Sequence, residues 1–186
     1  MTTLLFLLEE LSARTMLESF LPGILPQNIE ARFIVFEGKQ DLEKRLGKRL
    51  REWQMPDTRF VVIHDQDNSD CQHLKHKLRA IWDASGKSNE TMIRIPCHEL
   101  ESWYLGDLAA VERALGIGAL AKKQLKEKYR NPDLVANAAE ELKKLTKNKY
   151  QKVSGSREIG RHLSAESNRS HSFQVFVDGL ARHCSA

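Results

Sequence analysis

The chain has 186 residues, of which 41% are hydrophobic and 29% charged, and its formal net charge at pH 7 is +4. This length and composition fit one globular domain with a modest appendage and exclude a fibrous or disordered chain. No apolar stretch approaches the roughly 20 residues that span a bilayer, and the run Leu4–Leu8 ends in two glutamates, unlike a signal peptide. Three cysteines without CxxC spacing favour reduced thiols over structural zinc. We therefore expect a cytoplasmic protein without membrane association.

The first hundred residues alternate strand and helix patterns, as a parallel sheet with crossover helices requires. Apolar, β-branched runs predict four strands, and each interval between them contains apolar residues at helical spacing. The predicted strands are Thr3–Leu8, Ala31–Phe36, Arg59–His64 and Thr91–Ile95, and the helices between them lie around Ser12–Leu21, Leu42–Trp53 and Leu74–Trp82.

After the fourth strand the pattern is helical. The Gly- and Ser-containing segment Val153–Arg157 predicts a flexible backbone followed by a helix start. The predicted organisation is an α/β core of about four parallel strands over residues 1–107, and a helical C-terminal extension over residues 108–186 that packs on it. The predicted helices are Glu99–Leu105, Asp107–Leu115, Leu120–Tyr129, Asn137–Leu145 and Phe173–Arg182.

Two aspartates, Asp65 and Asp67, follow directly after the third predicted strand. Ligands of open α/β sheets bind at the carboxyl ends of the strands, and an Asp-x-Asp pair there offers hard oxygen donors that suit Mg²⁺ or Mn²⁺. The competing interpretation of the pair is that one aspartate caps a helix and the other stays in solvent, and we do not favour it. For Asp70 we do favour a helix cap over a metal ligand.

Further carboxylates follow the first and fourth strands. Glu9 and Glu10 end the first strand, and Glu99 and Glu101 come after the fourth. Parallel strands bring these groups to one edge of the sheet, where their mutual repulsion raises pKa values unless cations neutralise them. Because Glu99 and Glu101 lie two residues apart in a predicted helix, at most one faces the site, and we favour Glu99.

Basic and aromatic residues near this edge have less specific signals. Lys39 follows the second strand, where a solvated helix start is an equally good explanation. Lys152 and Arg157 flank Ser154, and these groups suit a phosphate contact. His64 and His98 are expected to pack rather than bind metal, and Trp103 and Tyr104 are expected in the core rather than stacked on bases.

The acidic positions resemble the Toprim pattern, in which a glutamate follows the first strand and Asp-x-Asp follows the third. With two later blocks included, nearly the whole chain resembles the bacterial Toprim-like group called domain-of-unknown-function family 4276. The segments that carry the resemblance are Leu8–Glu10, Gly38–Leu42, Asp65–Cys71, Arg94–Asp107 and Tyr150–Arg157.

This resemblance implies a Toprim fold, a compact Rossmann-like parallel sheet that binds Mg²⁺ during phosphoryl transfer in topoisomerases, primases and the overcoming-lysogenization-defect nucleases. It implies that Glu9 or Glu10 is the Toprim glutamate and that Asp65 and Asp67 are the metal-binding pair. The usual glycine after the glutamate is replaced by Glu10, so which glutamate acts stays open.

The leading functional hypothesis is a metal-dependent nuclease that cleaves DNA or RNA phosphodiesters with one or two Mg²⁺ or Mn²⁺ ions. Relatives resemble companions of ABC-type ATPases in anti-phage systems, which implies that this chain is the effector. One alternative is a non-catalytic Toprim module that binds nucleic acid or the ATPase, as the missing glycine suggests. Another is phosphoryl transfer on a small substrate, although in haloacid-dehalogenase phosphatases the Asp-x-Asp follows the first strand. The sequence leaves open whether the chain forms a homodimer.

Overall fold

The computed structural model describes residues 2–87 and 91–185. Within these residues four parallel strands form one sheet in the order β2-β1-β3-β4. The predicted α/β, Rossmann-like architecture is confirmed, and the strand boundaries differ from the predicted ones by only one or two residues. The strands are β1 (Thr2–Leu8), β2 (Ile29–Val35), β3 (Thr58–Ile63) and β4 (Thr91–Arg94).

Three helices connect the strands and cover both faces of the sheet: α1 (Leu11–Phe20), α2 (Lys39–Glu52) and α3 (Cys71–Asp83). Side chains of β1 alternate between the faces, as the pleat of a strand requires. Leu4 and Phe6 join the core formed with α1, whereas residues on the opposite face join the core formed with α2 and α3. β1 is therefore apolar on both faces from Leu4 to Leu8, as expected for a strand of a parallel sheet that is covered on both faces.

The helices after the sheet extend the core on the α1 face. Within the described residues, no helix is both long and apolar enough to traverse a lipid bilayer. These helices are α4 (Glu101–Leu105), α5 (Leu108–Leu115), α6 (Glu127–Arg130), α7 (Ala138–Leu145), α8 (Lys152–Gly160) and α9 (His171–Ser185), with 3-10 turns at Leu21–Gly23, Ala121–Leu125 and Pro132–Leu134.

The predicted single helix Leu120–Tyr129 is wrong. The chain forms a 3-10 turn and then α6, because Lys126 between them has an extended backbone, with φ −67° and ψ 143°. The side-chain amide of Gln124 donates hydrogen bonds to the carbonyl oxygens of Leu105 and Tyr129, at 3.0 and 2.7 Å. The first of these bonds ties the turn to α4, the second is local and links it to α6, and together they stabilise it against the local preference for helix.

The segment predicted to be flexible, Val153–Arg157, is also different: it belongs to α8, which begins at Lys152. Its glycine permits close packing rather than mobility. A Cβ atom on Gly155 would lie 2.6 Å from the ring of Tyr150, and one on Gly160 would lie 2.5 Å from the carbonyl oxygen of Met16 in α1. The two glycines thus allow α8 to pack tightly against Tyr150 and α1. This packing places Lys152, the first residue of α8, near the carboxyl end of β1.

Candidate functional site

The acidic residues lie at the topological switch point of the sheet, where the chain stops adding strands on one side of β1 and continues on the other. From β1 the chain first adds β2 on one side and then places β3 on the other side. The carboxyl ends of β1 and β3 are neighbours, since Leu8 is in register with Ile63. Such a switch point, at the carboxyl ends of the strands, is the general ligand site of open α/β sheets.

Glu9 and Asp65 meet at this point. The backbone N–H of Asp65 donates a hydrogen bond to Glu9 Oε2 at 3.2 Å, and the backbone N–H of Leu100 donates one to Asp65 Oδ2, also at 3.2 Å. The ends of β1 and β3 therefore hold the Glu9 carboxylate against the backbone of Asp65, close enough for the charges of the two side chains to interact. This is the geometry expected if residues distant in sequence share one site.

Both carboxylates are held in an environment that disfavours their charge. Burial raises the pKa of Asp65 well above its ordinary value, and the neighbouring charges of Glu10, Glu9 and Glu101 add to the effect. Burial also raises the pKa of Glu9, although His64 and the backbone N–H of Asp65 oppose the shift. The site thus carries negative charge that its own residues compensate only in part, and a bound cation would relieve this repulsion.

Each of the other two carboxylates that follow β1 and β3, Glu10 and Asp67, is paired with a lysine. Lys152 Nζ lies 2.6 Å from Glu10 Oε2, and Ser12 Oγ donates a hydrogen bond to the other oxygen of Glu10 at 2.5 Å. Lys39 Nζ lies 2.8 Å from Asp67 Oδ2. The hydrogen bond to Asp67 raises the pKa of Lys39. Burial lowers the pKa of Lys152, but the hydrogen bond and charge of Glu10 outweigh this and leave it raised.

Hydrogen bonds between the loops after β3 and β4 fix the position of Asp67. Its N–H donates to the carbonyl oxygen of His98 at 2.7 Å, and the N–H of His98 donates to Gln66 Oε1 at 3.2 Å. Asp67 and His98 both have positive φ values, 50° and 60°. Such left-handed conformations are uncommon in non-glycine residues and persist where surrounding contacts enforce them. The loops after β3 and β4 are thus hydrogen-bonded to each other, and they hold Asp67 where it contacts Lys39.

Of the two glutamates after β4, Glu101 rather than Glu99 interacts with the acidic site. Glu99 Oε2 accepts a hydrogen bond from the backbone N–H of Ala139 at 2.8 Å, in the first turn of α7. Glu101 is only 1% exposed and accepts a hydrogen bond from the Tyr150 hydroxyl at 2.8 Å. Its charge contributes to the raised pKa of Asp65, and burial raises its own pKa.

The predicted phosphate-binding residues separate into two groups. Lys39 and Lys152 reach the acidic residues, as described above. Ser154 and Arg157 lie exposed on α8, and in the described structure no hydrogen bond or ion pair connects them to the carboxylates. Of the α8 residues, Lys152 therefore reaches the acidic site. Ser154 and Arg157 could contact only a ligand that extends beyond that site.

His64 is buried, 2% exposed, between two glutamates. Its Nδ1 lies 2.7 Å from the Asp65 carbonyl oxygen and 3.4 Å from Glu9 Oε2, and its Nε2 lies 3.7 Å from Glu43 Oε1. The imidazole therefore packs beside the site, as predicted, but it also links Glu9 to Glu43. Sequence reasoning missed Glu43; its position one helical turn after Lys39 was the available signal.

The other side chains with predicted roles lie in the core or at a helix end. Trp103 and Tyr104 are fully buried, which confirms their structural assignment. Asp70 caps α3, since its side chain accepts a hydrogen bond from the backbone N–H of His73 at 2.7 Å. Tyr150, which sequence reasoning also missed, connects Glu101 to Ser156 of α8 and so joins the site to the C-terminal helices.

The donor chemistry of the site fits Mg²⁺ or Mn²⁺, because Glu9, Asp65 and Asp67 supply hard oxygen ligands. The side chains are not arranged as a complete metal cage: among the described residues, no group of three or more His, Cys, Asp or Glu side chains has the geometry to hold a metal ion. Instead, the ammonium groups of Lys39 and Lys152 occupy positions beside the outer carboxylates. Metal binding would require Asp67 to exchange its lysine for the ion.

Comparison with family models identifies the family of the chain. Neither the curated proteins nor the solved structures include a significant match to the chain. A family model described as a domain of unknown function, DUF4276, matches residues 8–181. The matched range begins just before Glu9 and includes the sheet edge, α4 and the α8 helix that carries Lys152. The chain belongs to the DUF4276 family.

Proposed function

We propose that the protein is a Toprim-type, metal-dependent nuclease that hydrolyses phosphodiester bonds of DNA or RNA. The observation that supports this most is the contact of Glu9 with Asp65 at the switch point of the sheet, with raised pKa values for both side chains. Carboxylates from adjacent strand ends that repel each other in a partly buried site are suited to share a divalent cation.

In this proposal the carboxylates bind the metal ion and the lysines bind the substrate. Glu9, Asp65 and Asp67 would hold Mg²⁺ or Mn²⁺, and Glu10 and Glu101 would add negative charge around it. A divalent ion bound there supplies an activated water and stabilises the charge that develops on the leaving oxygen. Release of Lys39 and Lys152 from Asp67 and Glu10 leaves two ammonium groups at the sheet edge, where they can bind phosphates of the nucleic acid.

A second candidate function is a non-catalytic module that binds nucleic acid or an ATPase partner. It is favoured by the ion pairs Lys39–Asp67 and Lys152–Glu10, which compensate two of the acidic residues without a metal ion. The presence of Glu10 where Toprim proteins have glycine is consistent with the same reading. Phosphoryl transfer on a small substrate has less support, because Asp65 follows β3 and not the first strand.

The biological role that we propose rests on the Toprim resemblance. The chain would act in the cytoplasm as the effector of an anti-phage system, together with an ABC-type ATPase that controls it. Nucleic acid would then be the substrate and the ATPase the protein partner. Purified chain and ATPase should therefore form a complex, which co-purification would detect.

The nuclease proposal is tested by a cleavage assay. Purified protein, alone and with its ATPase partner, is incubated with labelled single- and double-stranded DNA and RNA in Mg²⁺, Mn²⁺ or chelator. We expect metal-dependent cleavage that is lost in the Asp65→Ala, Asp67→Ala double variant and retained in Glu18→Gln, an exposed α1 residue. Circular dichroism establishes that both variants are folded.

The same assay separates the two candidates. Cleavage that survives the double substitution would overturn the metal-site assignment. Nucleic-acid binding that is unaffected by chelator, without cleavage under any metal, would instead support the non-catalytic module. Comparing Glu9→Gln with Glu10→Gln shows which glutamate acts, and we expect the larger loss for Glu9 because it contacts Asp65.

A further inference from the structure

The sheet has an open edge at β2. Among the described residues no strand pairs with the side of β2 that faces away from β1. The register with β1, and the hydrogen bonds from Thr2 N–H to Asn28 O and from Phe36 N–H to Leu8 O, show that even-numbered residues of β2 bond to β1. Alternation along a strand then turns the backbone N–H and C=O groups of Ala31 and Phe33 outward.

An apolar groove runs beside this edge on the α1 face. It has a volume of about 390 Å³, and its lining includes Leu17, Leu25, Ala31 and Phe33. Phe33 is stacked on Phe6 of the core, with ring centroids 5.4 Å apart, but it is not fully buried. Exposed edge strands are usually protected by prolines, by charged side chains, most often lysine, or by bulges. The seven residues of β2 contain neither proline nor lysine and keep an unbroken register with β1, and the two charged side chains of the strand form an ion pair with each other.

The charges on β2 favour one particular partner. Glu30 and Arg32 are two residues apart, so they project from the same face of the strand, and they form an ion pair with a 3.1 Å separation. If two copies of β2 run antiparallel about a two-fold axis at Ala31, Glu30 of each copy stands opposite Arg32 of the other. In such a pair the facing side chains are in contact, and opposite charges stabilise it.

The neighbouring registers are less favourable. A shift of the axis to Arg32 places two arginines opposite each other, and a shift to Glu30 does the same with two glutamates. Like charges directly opposite are destabilising. The axis at Ala31 also makes the outward N–H and C=O groups of Ala31 bond reciprocally to those of the other copy, as an antiparallel hydrogen-bonded pair requires. It brings the two apolar grooves together as well.

We propose that the open edge of β2 is a homodimer interface, where the β2 strands of two copies pair antiparallel about a two-fold axis at Ala31 and join the two sheets into one of eight strands. The interface is self-complementary, as a two-fold contact must be. The interface lies on the opposite side of β1 from β3, so the acidic site at the carboxyl ends of β1 and β3 stays accessible in each copy.

The first test is a charge swap read by molar mass. Sedimentation equilibrium of the wild-type chain should give twice the 21.3 kDa of one copy. Arg32→Glu alone and Glu30→Arg alone each place like charges opposite each other, and we expect the apparent dissociation constant to rise at least tenfold. The double variant restores opposite charges across the axis and should return to a dimer. A monomeric wild type, or a dimer that the single swaps leave unchanged, would overturn the proposal.

The second test traps the register. Ala31→Cys places two thiols across the axis within the Cα separation of about 4.4 to 6.8 Å that a disulfide spans, so mild oxidation should give a covalent dimer. Val35→Cys on the same strand is the matched control, because its two copies lie on opposite sides of the axis, and it should give no more covalent dimer than the wild type. Equal cross-linking of the two variants would contradict the register.

Discussion

Close packing of α8 against α1 can be tested at one residue, Gly160. A Cβ atom at this position would lie 2.5 Å from the carbonyl oxygen of Met16 and 3.1 Å from its Cα. These are backbone atoms of a buried helix, so they cannot move aside as a flexible side chain would. To reach an ordinary contact of about 3.5 Å, α8 must move away from α1 by about 1 Å.

The expected cost follows from this displacement. Overpacking of a close-packed interior costs about 1–3 kcal/mol, and the helix preference of alanine over glycine returns up to about 1 kcal/mol. We therefore expect Gly160→Ala to lower the free energy of unfolding by about 1–2 kcal/mol. For a chain of this size that corresponds to a decrease in Tm of roughly 2–8 °C.

Thermal unfolding followed by circular dichroism measures the effect, with Gly118→Ala as the matched control. A Cβ on Gly118 would meet no atom within 4 Å. The control should therefore change Tm by less than about 2 °C, as is usual for surface substitutions. If the two variants have the same Tm, α8 does not pack on α1 as described, and the position of Lys152 beside Glu10 loses its structural basis.

Three further substitutions test the site and its supports. Asp65→Asn should raise the free energy of unfolding by about 1 kcal/mol at pH 7.5. Because the pKa of Asp65 is raised in the folded state, protonation of the wild-type side chain favours folding. Urea unfolding should therefore show that the stability difference between the variant and the wild type shrinks as the pH falls towards 4. Tyr150→Phe leaves buried Glu101 without its donor and should cost about 1–3 kcal/mol in the same measurement. Asp70→Ala removes the cap of α3 and should cost about 1 kcal/mol, whereas Asp70→Asn should cost much less; equal losses would mean that the cap contributes nothing.

The strands and their acidic ends could be predicted from the sequence because both signals are local. A continuous apolar run such as Phe60–Ile63 identifies a strand that is covered on both faces, and the direction of parallel strands then fixes where Glu9 and Asp65 must meet. The contact between Glu9 and the backbone of Asp65 follows from this topology without any knowledge of individual side-chain conformations.

The features that escaped prediction depend on tertiary contacts. Choosing between Glu99 and Glu101 required knowing that α4 begins at Glu101 and that α7 presents a free backbone N–H to Glu99. Gly155 has the sequence signature of a flexible loop, and only the ring of Tyr150 packed against it explains its place inside a helix. The lysine partners of Glu10 and Asp67 likewise depend on how α8 and α2 meet the sheet.

Binding of Mn²⁺ to the purified chain tests the central claim most directly, because it does not depend on identifying a nucleic-acid substrate. Isothermal titration calorimetry at pH 7.5 should detect binding to the wild type and to Glu18→Gln, and at least tenfold weaker binding to Glu9→Gln and to Asp65→Asn. Equal affinity in all four proteins, or no binding by the wild type at millimolar Mn²⁺, would contradict a shared metal site at the ends of β1 and β3.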